Sequence, residues 1–136
     1  MNSEELAALS LAAFDHMVAA TPGFRSRAGQ HDMAQNIATT LAGVDLGAHD
    51  DPTQAIAVIQ AGTGVGKSAA YAATVIPLAL AHQKRVILST ATVALQEQLM
   101  AKDLPALSSA LPQPFTFALA KGRGRYVCRL KLDQLS

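Results

Sequence analysis

A single cysteine, Cys128, is the whole thiol content of the 136 residues, which excludes an internal disulfide framework and fits a reducing cytoplasm. Tryptophan is absent and aromatics reach only 4%, so Ala, Leu, Val and Ile have to supply most of any core. Charge of one sign is also lacking: Lys+Arg 11 against Asp+Glu 10 leaves +1, which argues for neither an acidic tail nor a wholly basic nucleic-acid binder. No apolar run approaches the roughly 18 residues of a membrane span. Glu4 and Glu5 stand where a secretory leader would be basic. The expectation is a cytoplasmic protein with no membrane partner, and neither an internal repeat nor a low-complexity linker interrupts it.

What is present is apolar enough to fold. Half the residues are hydrophobic and mean hydropathy is +0.22, values that exclude a disordered polymer. The length allows one ordinary domain and not two. Charge is unevenly placed. Residues 1–120 hold six basic side chains against nine acidic ones, a balance of −3. Residues 121–136 hold Lys121, Arg123, Arg125, Arg129 and Lys131 against Asp133, a balance of +4. That basic end can meet phosphates, although such a cluster also serves as a solvated face.

Periodicity divides the chain. Leu6, Leu9, Ala13, Phe14, Met17 and Val18 fall on one helical stripe that Thr21-Pro22-Gly23 stops, and Met33, Ile37 and Leu41 mark a second helix from about residue 30 to 41. Residues 43–53 read as a surface loop. The runs 55–59, 86–88 and 115–119 are short and apolar, as in strands buried on both faces. They alternate with helical segments over 67–82, where Pro77 predicts a bend, and over 93–100. The expected fold class is α/β, a parallel sheet with crossover helices, preceded by N-terminal helices.

The most informative segment is Ala61-Gly62-Thr63-Gly64-Val65-Gly66-Lys67-Ser68, a phosphate-loop pattern with Ala61 in place of the first glycine. Gly62, Gly64 and Gly66 let backbone N–H groups converge on a phosphate, and the helix that starts there adds the positive end of its dipole. Lys67 is suited to neutralise the β- and γ-phosphates and the Ser68 hydroxyl to ligate Mg²⁺. These two are the candidate catalytic residues.

Three further segments narrow the choice among phosphate-loop proteins. Phe24 to Gln30 places an aromatic, a guanidinium and a carboxamide before a helix; Gln30 offers a donor and an acceptor to an adenine edge, or is simply a solvated helix-entry residue. Ser89-Thr90-Ala91-Thr92 leads into a helix, where the hydroxyls suit either a sugar-phosphate contact or an N-cap. Lys121-Gly122-Arg123-Gly124-Arg125-Tyr126-Val127-Cys128 carries the basic cluster.

In this order, from about Pro22 onward, the segments resemble the DinG branch of iron-sulfur superfamily 2 helicases, bacterial relatives of XPD. The resemblance implies a partial RecA-like P-loop lobe over 23–120, after an N-terminal helix over 1–22, with the start of an iron-sulfur domain over 121–136. It makes Arg27 and Gln30 an adenine-reading Q motif and residues 61–68 helicase motif I, in which alanine commonly replaces the first glycine. Thr90 and Thr92 become motif Ia contacts to single-stranded DNA. Cys128 becomes the first of four thiolates around a [4Fe–4S] cluster, for which this chain lacks the other three. The implied activity is ATP- and Mg²⁺-dependent 5′-to-3′ translocation on single-stranded DNA with unwinding of forked or duplex DNA, in repair or replication, by a monomeric, nucleoid-associated enzyme.

Phosphoryl transfer also needs Mg²⁺ held from a second side and usually an arginine across a cleft. No apolar run here ends in Asp-Glu; Asp50-Asp51 precedes the first apolar run, and Glu97 lies in the motif Ia segment. The expectation is therefore the ATP-gripping part of a larger motor, inactive alone and holding no cluster. The competing readings are another P-loop NTPase, such as a small kinase or GTPase, and a non-catalytic nucleotide-binding module. The histidines His16, His31, His49 and His82 show no metal-ligand spacing, and Met17, Met33 and Met100 read as core.

Overall fold

A computed structural model describes residues 1–44, 55–62 and 66–135. Three helices build its centre. Helix α1, Ser3–Ala20, begins with a capping box: the Asn2 side chain accepts from Glu5 N at 2.8 Å, and Glu5 Oε2 accepts from Asn2 N at 2.8 Å. Its buried face is Leu6, Ser10, Ala13, Phe14 and Met17. At its other end the Thr21 hydroxyl donates to Met17 O, and Gly23 turns the chain with φ +75.

Helix α2, Ala28–Ala42, buries Gln30, Met33, Ala34, Ile37, Ala38 and Ala42. Helix α3, Lys67–Ala81, starts from a left-handed Gly66 and is buried over most of its length. It runs through Pro77, so the bend expected there does not end the helix; proline simply has no N–H to give Ala73. The three helices pack pairwise on one another around Phe14, Ala34, Ala70 and Ala73. Small residues let α3 approach closely, which is how a core with so few aromatics fills its volume. Among its polar groups Ser10 Oγ donates to Thr74 O at 2.6 Å, so that burying this hydroxyl carries no unmet hydrogen bond.

Helix α4, Val93–Gln98, passes through a π-helical turn at Leu99–Asp103 into α5, Leu104–Ala110, which packs on α1 and α3. A 3₁₀ turn at Arg123–Arg125 and a short α6, Arg129–Asp133, follow. No helix among the described residues is long and apolar enough to cross a membrane.

The parallel sheet expected from the sequence is not formed. Among the described residues there is no strand, and no backbone hydrogen bond links residues 55–59, 86–88 and 115–119. Those runs lie outside the helices but meet the core from one side only. Ile59, Leu88 and Phe115 pack on the helical cluster, whereas Ile56, Val58 and Ile87 are 71%, 92% and 90% exposed. A parallel sheet is stable when both faces are covered, and here helices cover one. The second and third runs instead line a cleft of about 810 Å³ beside α3 and the π-helical turn. The α/β, RecA-like fold class is thus corrected to a helical one.

The core places a clear demand on two side chains. Phe14→Ala is expected to cost about 3–5 kcal/mol and Asn2→Ala about 1 kcal/mol, read from urea denaturation followed by circular dichroism. Equal effects would contradict this assignment of core and cap.

Candidate nucleotide and nucleic-acid sites

Two groups of predicted residues stand apart in the structure. The first gathers where α3 begins. Residues 55–62 carry no regular secondary structure, and Thr63, Gly64 and Val65 lie outside the described residues. Lys67 Nζ donates to Ala61 O at 2.9 Å, so the ammonium folds back over the segment that precedes its helix. Lys67 and Gly62 are exposed, and nothing lies within 4 Å of a Cβ built on Gly62. The half-buried Ser68 Oγ accepts from Tyr71 Oη at 3.4 Å. Tyr71 carries no motif signal, yet its position one turn after Ser68 makes the contact geometrically available.

Gln30 joins this group from α2. Its Nε2 donates to Gly66 O at 2.8 Å, and the side chain is fully buried. Gly66 O also accepts from Ala70 N at 3.3 Å, the first regular bond of α3. The carbonyl acceptor dictates which end of the carboxamide faces it, and Gln30 Oε1 is left buried without a partner among the described residues. Sequence reasoning aims both ends of Gln30 at an adenine; here one end holds the start of α3. Arg27 is exposed at the head of α2, where its carbonyl accepts from Gln30 N and His31 N at 3.0 Å each. Gly66 is required twice over. Its φ is +81, and a Cβ there would collide with the Gln30 carboxamide.

The second group lies around α4. Thr92 Oγ1 accepts from Leu95 N at 3.3 Å, and Thr90 Oγ1 donates to Thr92 O at 3.4 Å, so the N-cap geometry allowed by the sequence is realised. Arg125 reaches the same helix by donating to Gln96 Oε1 at 2.8 Å. This contact spans 29 positions and has no signature in the sequence. Cys128 is exposed at the head of α6, and among the described residues no three His, Cys, Asp or Glu side chains come together as a metal site.

The Gln30 and Gly66 positions should be energetically coupled. Gly66→Ala is expected to destabilise the chain strongly. In a Gln30→Ala background the same change should cost only the left-handed penalty of about 1–2 kcal/mol. Additive effects in the denaturation double-mutant cycle would mean that the two residues do not touch.

Comparison with known proteins adds kinship to this geometry. No family model matches the sequence, and no solved structure matches it significantly. A protein of Photobacterium profundum named ATP-dependent DNA helicase DinG is 48% identical over 110 residues, 81% of this chain and 15% of that protein. Proteins of the same name from Escherichia coli and Salmonella typhimurium are each 44% identical over 115 residues, 85% of this chain and 15% of theirs. Over more than four-fifths of its length, then, this chain is of the DinG family, and it spans about 15% of the length of the curated relatives it matches.

Proposed function

We propose that the chain is the ATP-gripping part of a DinG-type DNA helicase, which couples ATP hydrolysis to 5′-to-3′ movement along single-stranded DNA and to duplex unwinding. The observation that carries this reading is the Gln30–Gly66 contact. It brings an adenine-reading candidate against the phosphate-loop candidate, 36 residues away in sequence. The relatives named as ATP-dependent DNA helicases match over more than four-fifths of the chain.

In this reading Gly62, Gly64 and Gly66, with the backbone of Ala61, Thr63 and Val65, wrap the triphosphate. Lys67 leaves Ala61 O for the β- and γ-phosphates, a modest rearrangement because the side chain is exposed. The N-terminus of α3 supplies unpaired N–H groups and a positive dipole end. Arg27, exposed at the head of α2, meets the base, Gln30 holds the start of α3 beside it, and Thr90 and Thr92 meet the DNA backbone. The donor set suits a nucleoside triphosphate. Ser68 offers Mg²⁺ one hydroxyl ligand, and the ion, when bound, neutralises charge on the phosphates.

A [4Fe–4S] cluster is a different matter. It takes four thiolates, and the chain has one, exposed at Cys128. The residues present do not fit that group, and no step is routed through it. With no apolar run ending in Asp-Glu to hold Mg²⁺ from a second side, the chain alone is expected to bind nucleotide weakly at best and turn it over negligibly.

Titration with fluorescent nucleotides tests the reading. ATP should bind in preference to GTP, and Lys67→Ala should weaken ATP at least about tenfold, the loss of one charge-assisted contact to phosphate. A preference for GTP would favour another P-loop class. Multiple-turnover hydrolysis stimulated by single-stranded DNA and lost in Lys67→Ala would overturn the view of this stretch as incomplete.

A further inference from the structure

The basic end of the chain is tied to α4 by one side-chain contact, and the loop that makes it is internally braced. Arg125 N donates to Gly122 O at 2.9 Å, Tyr126 N to Arg123 O at 3.3 Å, and Lys121 N to the Tyr126 hydroxyl at 2.8 Å. Residues 121–126 therefore form a closed turn with the tyrosine ring as its strut. That ring is 56% exposed, and no atom lies within 4 Å of a Cβ built on Gly122 or Gly124. Arg125 is anchored to the neutral carboxamide of Gln96, which fixes the guanidinium without cancelling its charge. Lys121 and Arg123 stand in the same exposed turn, and Thr92 lies four residues before Gln96, one helical turn away.

From this juxtaposition we infer that the Lys121–Tyr126 turn and α4 form one docking surface for a nucleic-acid single strand, with Arg125 on a phosphate and Tyr126 stacked on a base. The inference rests on the helicase reading for the choice of DNA and extends it to residues outside the motif Ia segment. Charge complementarity names a polyanion, since residues 121–136 carry five basic side chains against one acidic one. The exposed ring narrows that to a single strand, because a duplex keeps its base faces stacked and out of reach. Bracing before binding matters as well, since an aromatic and a guanidinium already held in place lose little conformational freedom on contact. Gln96 is a positioning residue, acting through Arg125.

Fluorescence anisotropy of the full chain with labelled dT15, from about 50 to 200 mM salt, tests the inference. Arg125→Gln should weaken binding several-fold at the low-salt end and make the log–log salt dependence shallower by about 0.7, the signature of one lost phosphate contact on a single strand. Tyr126→Leu should weaken binding by about tenfold or more while leaving the salt slope unchanged, and Tyr126→Phe, which keeps the ring but loses the brace to Lys121, should fall between Tyr126→Leu and the wild-type chain. Gln96→Ala should weaken the wild-type chain but not the Arg125→Gln variant. Tight dT15 binding that none of these changes touches would overturn the surface and leave the ATP-driven helicase reading intact, since that rests on Lys67 and Gln30. Failure of the chain to bind dT15, or equal competition by a blunt duplex, would overturn the surface too. Preference for rU15 over dT15 would overturn the assignment to DNA.

Discussion

One hydrogen bond ties α2 to the start of α3: Gln30 Nε2 to Gly66 O. It crosses from α2 to the residue that caps α3, where the backbone is left-handed and a side chain of any size would be in the way. The bond is part-buried and the Gln30 side chain fully so, and losing it would strand a desolvated carboxamide whose other end lacks a partner among the described residues. Burial on this scale requires α1, α2 and α3 to pack as they do. The three-helix core therefore serves as the mount that presents Gln30 to the loop, and the direction of α3, with Lys67 and Ser68 on its first turn, follows from that mount.

The helices are legible because their signals are local. Phe14 and Met17 recur at helical spacing and both are buried, and Thr21-Pro22-Gly23 stops α1 where its side-chain chemistry says it must. The apolar runs mislead for an equally physical reason. A run such as Ala55-Ile56-Ala57-Val58-Ile59 shows no period, and absence of period in a short apolar run implies burial on both faces. Val58, 92% exposed beside the packed Ile59, shows that the run is one-sided. Pairing of such runs depends on what covers their second face, and that information lies in no local window.

The candidate site divides in the same way. The pattern that picks out Gly66, Lys67 and Ser68 as candidates is a matter of residue type at fixed spacing, which a sequence carries in full. The contacts that locate them are not. The Gln30–Gly66 and Arg125–Gln96 bonds span 36 and 29 positions, and neither follows until the helices are packed. Tyr126 stands in the sequence as a neighbour of Cys128 and acquires a role of its own only through the brace to Lys121. The net charge of +1 conceals the same separation, with a slightly acidic helical body and a basic end that folds back onto α4.

Side-chain amide exchange at Gln30, followed by NMR on the labelled chain with and without ATP, reaches the central claim most directly. If Gln30 holds the start of α3, its NH₂ protons should exchange far more slowly than those of the exposed Gln35, and its resonance should shift when ATP binds. Exchange of Gln30 as fast as Gln35, with no response to a bound nucleotide, would contradict the claim that this side chain links α2 to the phosphate loop.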